Sequence, residues 1–118
     1  MRRLSPRLRV TRRPSLTDSG AAVTLDLHGA RVAEAERLML RAARLAAERG
    51  RRTLAVVHGA STSRPGAPTI RSALFDMLDD GEFDGWVVGE VRGDGRTLLS
   101  LDARGAPDPA RLSILDLR

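Results

Sequence analysis

The sequence predicts an α/β fold, a two-layer sandwich in which two helices lie on one face of a mixed β-α-β-α-β-β sheet. Three observations predict it. Short apolar runs alternate with amphipathic stretches in the order strand, helix, strand, helix, strand, strand. The two strand–helix units imply a parallel pair joined by right-handed crossovers. The last two strands meet at Arg92-Gly93-Asp94-Gly95-Arg96, a glycine-rich turn that reads as a hairpin and adds antiparallel pairing. At 118 residues the chain supports one domain with a modest core.

The first strand is Val23-Thr24-Leu25-Asp26-Leu27, where apolar residues alternate with Thr24 and Asp26. His28 and Gly29 follow, and a helical pattern starts at Arg31. Val32, Ala35, Leu38, Met39, Ala42, Leu45 and Ala46 recur at three- and four-residue steps to about Glu48, with charged residues mostly on the other face. Gly50 is a natural stop. Thr53-Leu54-Ala55-Val56-Val57-His58 is apolar enough for an internal parallel strand. Gly59 to Pro68 is a loop of small residues. Thr69 reads as an N-cap, and Ile70, Ala73, Leu74, Met77 and Leu78 form the buried stripe of a second helix. After a turn over residues 79–85, Trp86–Val91 and Thr97–Leu101 read as the hairpin strands. Leu112–Leu117 could add a C-terminal edge strand. Trp86 and Phe75 read as core residues.

Residues 1–20 read as a flexible basic arm, and residues 21–118 as the folded domain. The arm carries six arginines, Arg2, Arg3, Arg7, Arg9, Arg12 and Arg13, against one acid, Asp18. The rest of the chain is balanced, with fourteen arginines and fourteen acids, so the formal net charge of +5 lies on the arm. With Pro6, Pro14 and little apolar periodicity, the arm suits an electrostatic tether to nucleic acid. Neutralising about six phosphates would give a log–log salt slope of roughly −4 to −5. The bland alternative is a solubilising terminus. All twenty basic residues are arginine. A GC-rich genome accounts for that, and arginine's fork also matches phosphate geometry.

Several classes fall away. No run of about 18 apolar residues offers a transmembrane helix, and no apolar stretch follows the basic N-terminus as in a secretory signal. The chain has no cysteine, which removes disulfides and thiolate metal sites and fits a cytoplasmic address. No Gly-x-Ser-x-Gly is present, so a serine-nucleophile hydrolase is disfavoured. With two phenylalanines, one tryptophan and no tyrosine, so is a base-stacking reader of the RRM type.

The end of the first strand carries the chemistry. Asp26 and His28 stand two residues apart, on one face, where a strand turns into a helix, and open α/β sheets bind ligands at such ends. A histidine can take or give a proton near neutral pH, and a carboxylate beside it can orient the ring and stabilise its protonated form. The parallel pairing would also bring His28 near His58.

Leu25-Asp26-Leu27-His28-Gly29, followed by Glu34-Ala35, resembles the opening motif of the Smr (small MutS-related) domain family. Val56-Val57-His58-Gly59 resembles its second motif. The stretch from Ala67 to Leu74 resembles the helix start that follows, and Gly93-Asp94-Gly95-Arg96-Thr97 its closing hairpin. The resemblance covers about residues 22–102. It implies a two-layer α/β fold similar to the C-terminal domain of a bacterial translation initiation factor. It also implies nucleic-acid binding and, in several members, endonuclease cleavage of RNA or nicking of DNA. One departure stands out: where the family continues as His-Gly-x-Gly-x-Gly, this chain has Ser61 and Ser63. Serines keep the backbone N–H groups for phosphate but restrict the backbone.

The site that follows is Asp26, His28, His58 and Arg71 as catalytic groups. Gly29, Gly59, Ser61, Ser63, Arg64 and the six arm arginines would bind nucleic acid. His58 would act as a second acid–base group or phosphate ligand, or alternatively as a structural histidine. Arg71, in the first turn of the second helix, would clamp the scissile phosphate. Asp26, His28 and His58 could hold a divalent metal, but nothing in their spacing demands one, so the expected mechanism needs no metal and no cofactor. The leading reading is a nuclease acting on RNA or DNA. The second is a non-catalytic module that grips nucleic acid or the ribosome, and the third is a protein-interaction domain. The sequence leaves the oligomeric state open, since an exposed sheet edge could pair with another copy.

Overall fold

The computed structural model describes residues 13–59 and 68–118. Five strands form one sheet: β1 (Ser15–Asp18), β2 (Ala22–Asp26), β3 (Thr53–Val57), β4 (Val87–Val91) and β5 (Arg96–Leu101), in the spatial order β1-β2-β3-β5-β4. Only β2 and β3 run parallel, and the other neighbours pair antiparallel. Helix α1 (Val32–Glu48) connects β2 to β3, and helix α2 (Ile70–Asp79) precedes β4. Both connections move the same way across the sheet, and right-handed crossovers therefore put both helices on one face, where they touch each other. The α/β class and the two-helix layer match the sequence reading. Among the described residues, no helix is long and apolar enough to cross a membrane.

Alternation decides what each strand buries. Val23 and Leu25 on β2, Leu54 and Val56 on β3, and Thr97, Leu99 and Leu101 on β5 point into the helix layer. They meet Ala35, Leu38, Met39, Ala42, Ala43, Ala46 and Ala47 of α1 and Leu74 and Met77 of α2. The alanine-rich face lets α1 lie close against the sheet. Each fully buried leucine contributes about 1.5–3 kcal/mol relative to exposure. A capping box starts α2: the Thr69 side chain accepts from the Ser72 N–H, and the Ser72 side chain accepts from the Thr69 N–H.

Two expectations are corrected. Ser15–Asp18, read as part of a flexible arm, forms β1 and pairs antiparallel with β2. With a single apolar residue, Leu16, this segment gains strand structure only from the ladder that β2 offers. The C-terminal edge strand is instead a 3-10 turn, Ile114–Leu117, started by the Ser113–Asp116 capping box. It delivers Leu117, with Leu112 before it, to the core.

A buried ion pair ties the termini together. The side chains of Asp18 and Arg51 are both fully buried. Arg51 uses all five guanidinium donors: Nε and Nη2 reach the Asp18 carboxylate at 2.9 and 2.8 Å, Nη2 also reaches the Ala110 carbonyl at 2.7 Å, and Nη1 reaches the Arg49 and Asp108 carbonyls at 2.8 and 2.7 Å. Asp18 accepts in addition from the N–H groups of Gly20 and Leu112, at 2.8 and 2.7 Å. One contact set thus binds β1, the chain leaving α1 and the C-terminal tail.

Candidate functional site at the strand ends

The parallel pair sets the site's frame. Asp26 lies opposite Val57, and the Leu27 N–H donates to the Val57 carbonyl at 3.0 Å, carrying the pairing one residue past the strand. Buried Leu27 anchors the chain, and the Ala30 N–H closes the turn onto the Leu27 carbonyl at 3.0 Å. Gly29 takes φ +87° there, a conformation that L side chains rarely adopt.

This turn folds His28 back onto Asp26. One carboxylate oxygen, Oδ1, accepts from the His28 backbone N–H at 3.0 Å and lies 2.5 Å from Nδ1 of the ring. Both side chains are about two-fifths exposed, at 42% and 36%. The carboxylate selects the tautomer with the proton on Nδ1, which leaves Nε2 as the nitrogen available for proton transfer. Asp26 sits on the sheet face away from the helices, so this pair crowns the open face.

His58 has a different setting. It follows Leu54 and Val56 on the helix-facing side. Its Nε2 is 2.9 Å from the Thr97 hydroxyl, and its Nδ1 is 2.9 Å from the Gly59 carbonyl. An Nδ1–H donating to that carbonyl and a Thr97 hydroxyl donating to Nε2 satisfy the neutral ring completely. Phe75 of α2 meets the ring edge-on, with centroids 6.0 Å apart. The His58 and Gly59 N–H groups both donate to the Gly95 carbonyl, at 3.1 and 2.9 Å, so the β4–β5 turn is fastened to the start of the next loop. Gly59 takes φ +79°. The strand ends of His28 and His58 are neighbours, as expected, but among the described residues no hydrogen bond, ion pair or ring contact joins the two side chains.

Arg71 packs its guanidinium over Phe75, 5.4 Å from the ring centroid. Its Nη1 lies 3.7 Å from Asp94 Oδ1. Its Nε is buried without a hydrogen-bond partner among the described residues. Arg92 covers Phe75 as well, at 4.8 Å, and pairs with Glu90 and with Asp79, the latter at 2.6 Å. Hydrogen bonds to Asp79 and Glu90 push the Arg92 pKa further up, so it stays charged.

Ser61, Ser63 and Arg64 lie outside the described residues, as do Arg2, Arg3, Arg7, Arg9 and Arg12. Arg13 is described: it is exposed and lines a cavity of about 530 Å³ together with Gly29. The structure adds three groups that the sequence reading did not place in the site, Thr97, Phe75 and Arg92. Thr97 had a signal, since it closes the glycine-rich hairpin motif. Phe75 had none, because a half-buried aromatic on a helix stripe reads as core. Among the described residues, no three His, Asp or Glu side chains cluster as a metal site would need.

The model of the Smr domain matches residues 25–89, more than half of the chain. The matched span contains Asp26, His28, His58 and Arg71. Nothing among curated proteins matches the chain, and no solved structure does.

Proposed function

The chain belongs to the Smr domain family, and from that premise we propose that it binds nucleic acid and cleaves phosphodiester bonds, with His28 as the acid–base group. The observation that supports this reading is the Asp26–His28 pair: a ring held at Nδ1 by a carboxylate 2.5 Å away, two-fifths exposed, at the carboxyl end of a parallel strand. On RNA, His28 Nε2 removes the 2′-hydroxyl proton. The 2′-oxygen then attacks phosphorus, the bond to the 5′-oxygen breaks, and that oxygen takes a proton from solvent. On DNA the same nitrogen activates a water. Asp26 holds the ring and stabilises its imidazolium form. Arg71, whose Nε has no hydrogen-bond partner among the described residues, and the N–H groups of the loop after Gly59 hold the phosphate and the charge that develops on it. His58, with both ring nitrogens engaged, acts as a positioning residue: it fixes the loop start against β5 and Phe75. No step calls for a metal.

The second reading is a module that grips structured nucleic acid or the ribosome without cutting. Ser61 and Ser63 in place of glycines favour it. One experiment separates the two. End-labelled single-stranded RNA, single-stranded DNA and branched DNA are incubated with wild type and His28→Ala, with and without EDTA. General acid–base catalysis is worth about 10²–10⁴-fold, so the variant should lose at least about a hundredfold in rate while keeping its affinity. Equal cutting by a folded His28→Ala protein rules out the assigned role. Salt-sensitive binding without cutting by either protein establishes the binding module, and loss of cutting in EDTA alone assigns a metal.

A further inference from the structure

Three cavities run in series along the outer face of α1. The first, about 530 Å³, is bordered by Gly29, Arg13, Glu34 and Arg118. The second, about 210 Å³, shares Glu34 and Arg118 with the first and adds Arg37 and Arg41. The third, about 440 Å³, shares Arg37 and Arg41 with the second and ends at Arg44, Glu82 and Trp86. Shared walls make one track of the three. Glu34, Arg37, Arg41 and Arg44 follow at three- and four-residue steps, so they form one stripe roughly 15 Å long.

The track's chemistry is that of a charged chain carrying flat apolar groups. Five arginines face two carboxylates along it. Arg41 is partly committed, donating to the Leu117 carbonyl at 2.9 Å, and Arg118 lies 3.8 Å from Glu34. Arg37 and Arg44 are exposed and, among the described residues, make no hydrogen bond or ion pair. Trp86, the only tryptophan, packs one side on the core and lends the other to the last cavity. Its packing against the core fits the expectation of a core residue, and its remaining surface borders the cavity. Arginines at helix spacing followed by a half-buried indole that borders the last cavity suit phosphates in a row with an unpaired base stacked at the end, whereas a paired duplex has no base face to offer.

We propose that this track binds single-stranded nucleic acid, leading the strand from the turn at Gly29, the residue after His28, along α1 to a base stacked on Trp86. The proposal rests on the nucleic-acid reading above and adds the path that the strand takes.

Because Trp86 is the sole tryptophan, its fluorescence reports on this path alone. Full-length protein carrying His28→Ala, which spares the probe, is titrated with end-labelled oligo-uridine. Label anisotropy follows total binding, and indole emission follows the track. The expected result is quenching that tracks binding, weaker for a matched duplex and absent for poly-glutamate. Arg37→Glu/Arg44→Glu should weaken binding about tenfold or more. It should also reduce the log–log salt slope by about 1.4, for two lost contacts at about 0.7 each. Binding seen by anisotropy with unchanged emission and an unaffected double variant overturns the track while leaving the nucleic-acid reading intact. Equal quenching by duplex or poly-glutamate overturns the single-strand assignment. No binding of any probe removes both readings together.

Discussion

A guanidinium removed from water is stable only when its donors are met, and Arg51 meets all five with two carboxylate oxygens and three carbonyls. Its partner Asp18 has a pKa of about 2 against an ordinary 3.8. Burial alone would raise it. Hydrogen bonds from Arg51 and from the Leu112 and Gly20 N–H groups, with the Arg51 charge, outweigh burial and lower it. The folded pKa is depressed, so as acid is added the unfolded chain takes up the proton first. The contribution is therefore full above about pH 4, is lost between about pH 4 and 2, and amounts to roughly 2 kcal/mol. Denaturant unfolding across this range should show a stability drop in wild type that Asp18→Asn lacks. The variant should start about 3–5 kcal/mol lower, because it leaves Arg51 charged and unpaired. An identical acid limb in both proteins would count against the assignment. Nothing in the sequence signals this pair. Its members are thirty-three residues apart, Asp18 stands in a polar segment, and Arg51 is flanked by Arg49 and Arg52, which look the same in sequence. Asp26 and His28 were legible because one strand face and one turn, both local features, bring them together.

At the level of elements, periodicity found what periodicity governs. Helix α1, strand β3 and the α2 cap stand where the apolar spacing and Thr69 place them. Strand β1 and the C-terminal turn were missed because their structure comes from partners. Ser-Leu-Thr-Asp is a strand only beside β2, and Ile114–Leu117 coils only because Ser113 and Asp116 cap it. The turns at the site add a backbone constraint. Gly59 at φ +79° begins the loop that would meet phosphate, and Gly105 at φ +81° lies in the tail, two residues from Ala103 and one from Arg104, whose N–H donates to Ala47 of α1. An alanine at either position is strained by about 1 kcal/mol or more. Gly59→Ala and Gly105→Ala should therefore lower the thermal midpoint by similar amounts, a few degrees. Only Gly59→Ala should also weaken oligonucleotide binding and cutting. Equal binding by the two variants would detach the Gly59 turn from the site.

For the molecule as a whole, charge and fold divide at a place that composition alone put too late. Composition marks the arm as residues 1–20, but Asp18 is part of the sheet and of the buried ion pair, and β1 begins at Ser15. The six arginines before that strand carry +6, and the rest of the chain, with fourteen arginines and fifteen acids, carries −1. Two truncations should then have opposite effects. Removing residues 1–12 deletes five arginines. It should leave stability unchanged and flatten the salt dependence of single-strand binding by roughly 3–4 in log–log slope, at about 0.7 per lost phosphate contact. Removing residues 1–18 also deletes β1 and the partner of Arg51. A buried guanidinium without its carboxylate costs about 3–5 kcal/mol, and the lost ladder with β2 adds to that. Small domains have only about 5–15 kcal/mol of total stability, so this second protein should be largely unfolded by circular dichroism at room temperature. A stable protein lacking residues 1–18 would mean that β1 lies on the sheet without supporting it. An unchanged salt slope after removal of residues 1–12 would place the phosphate contacts on the folded domain, along the Arg37–Arg44 face of α1.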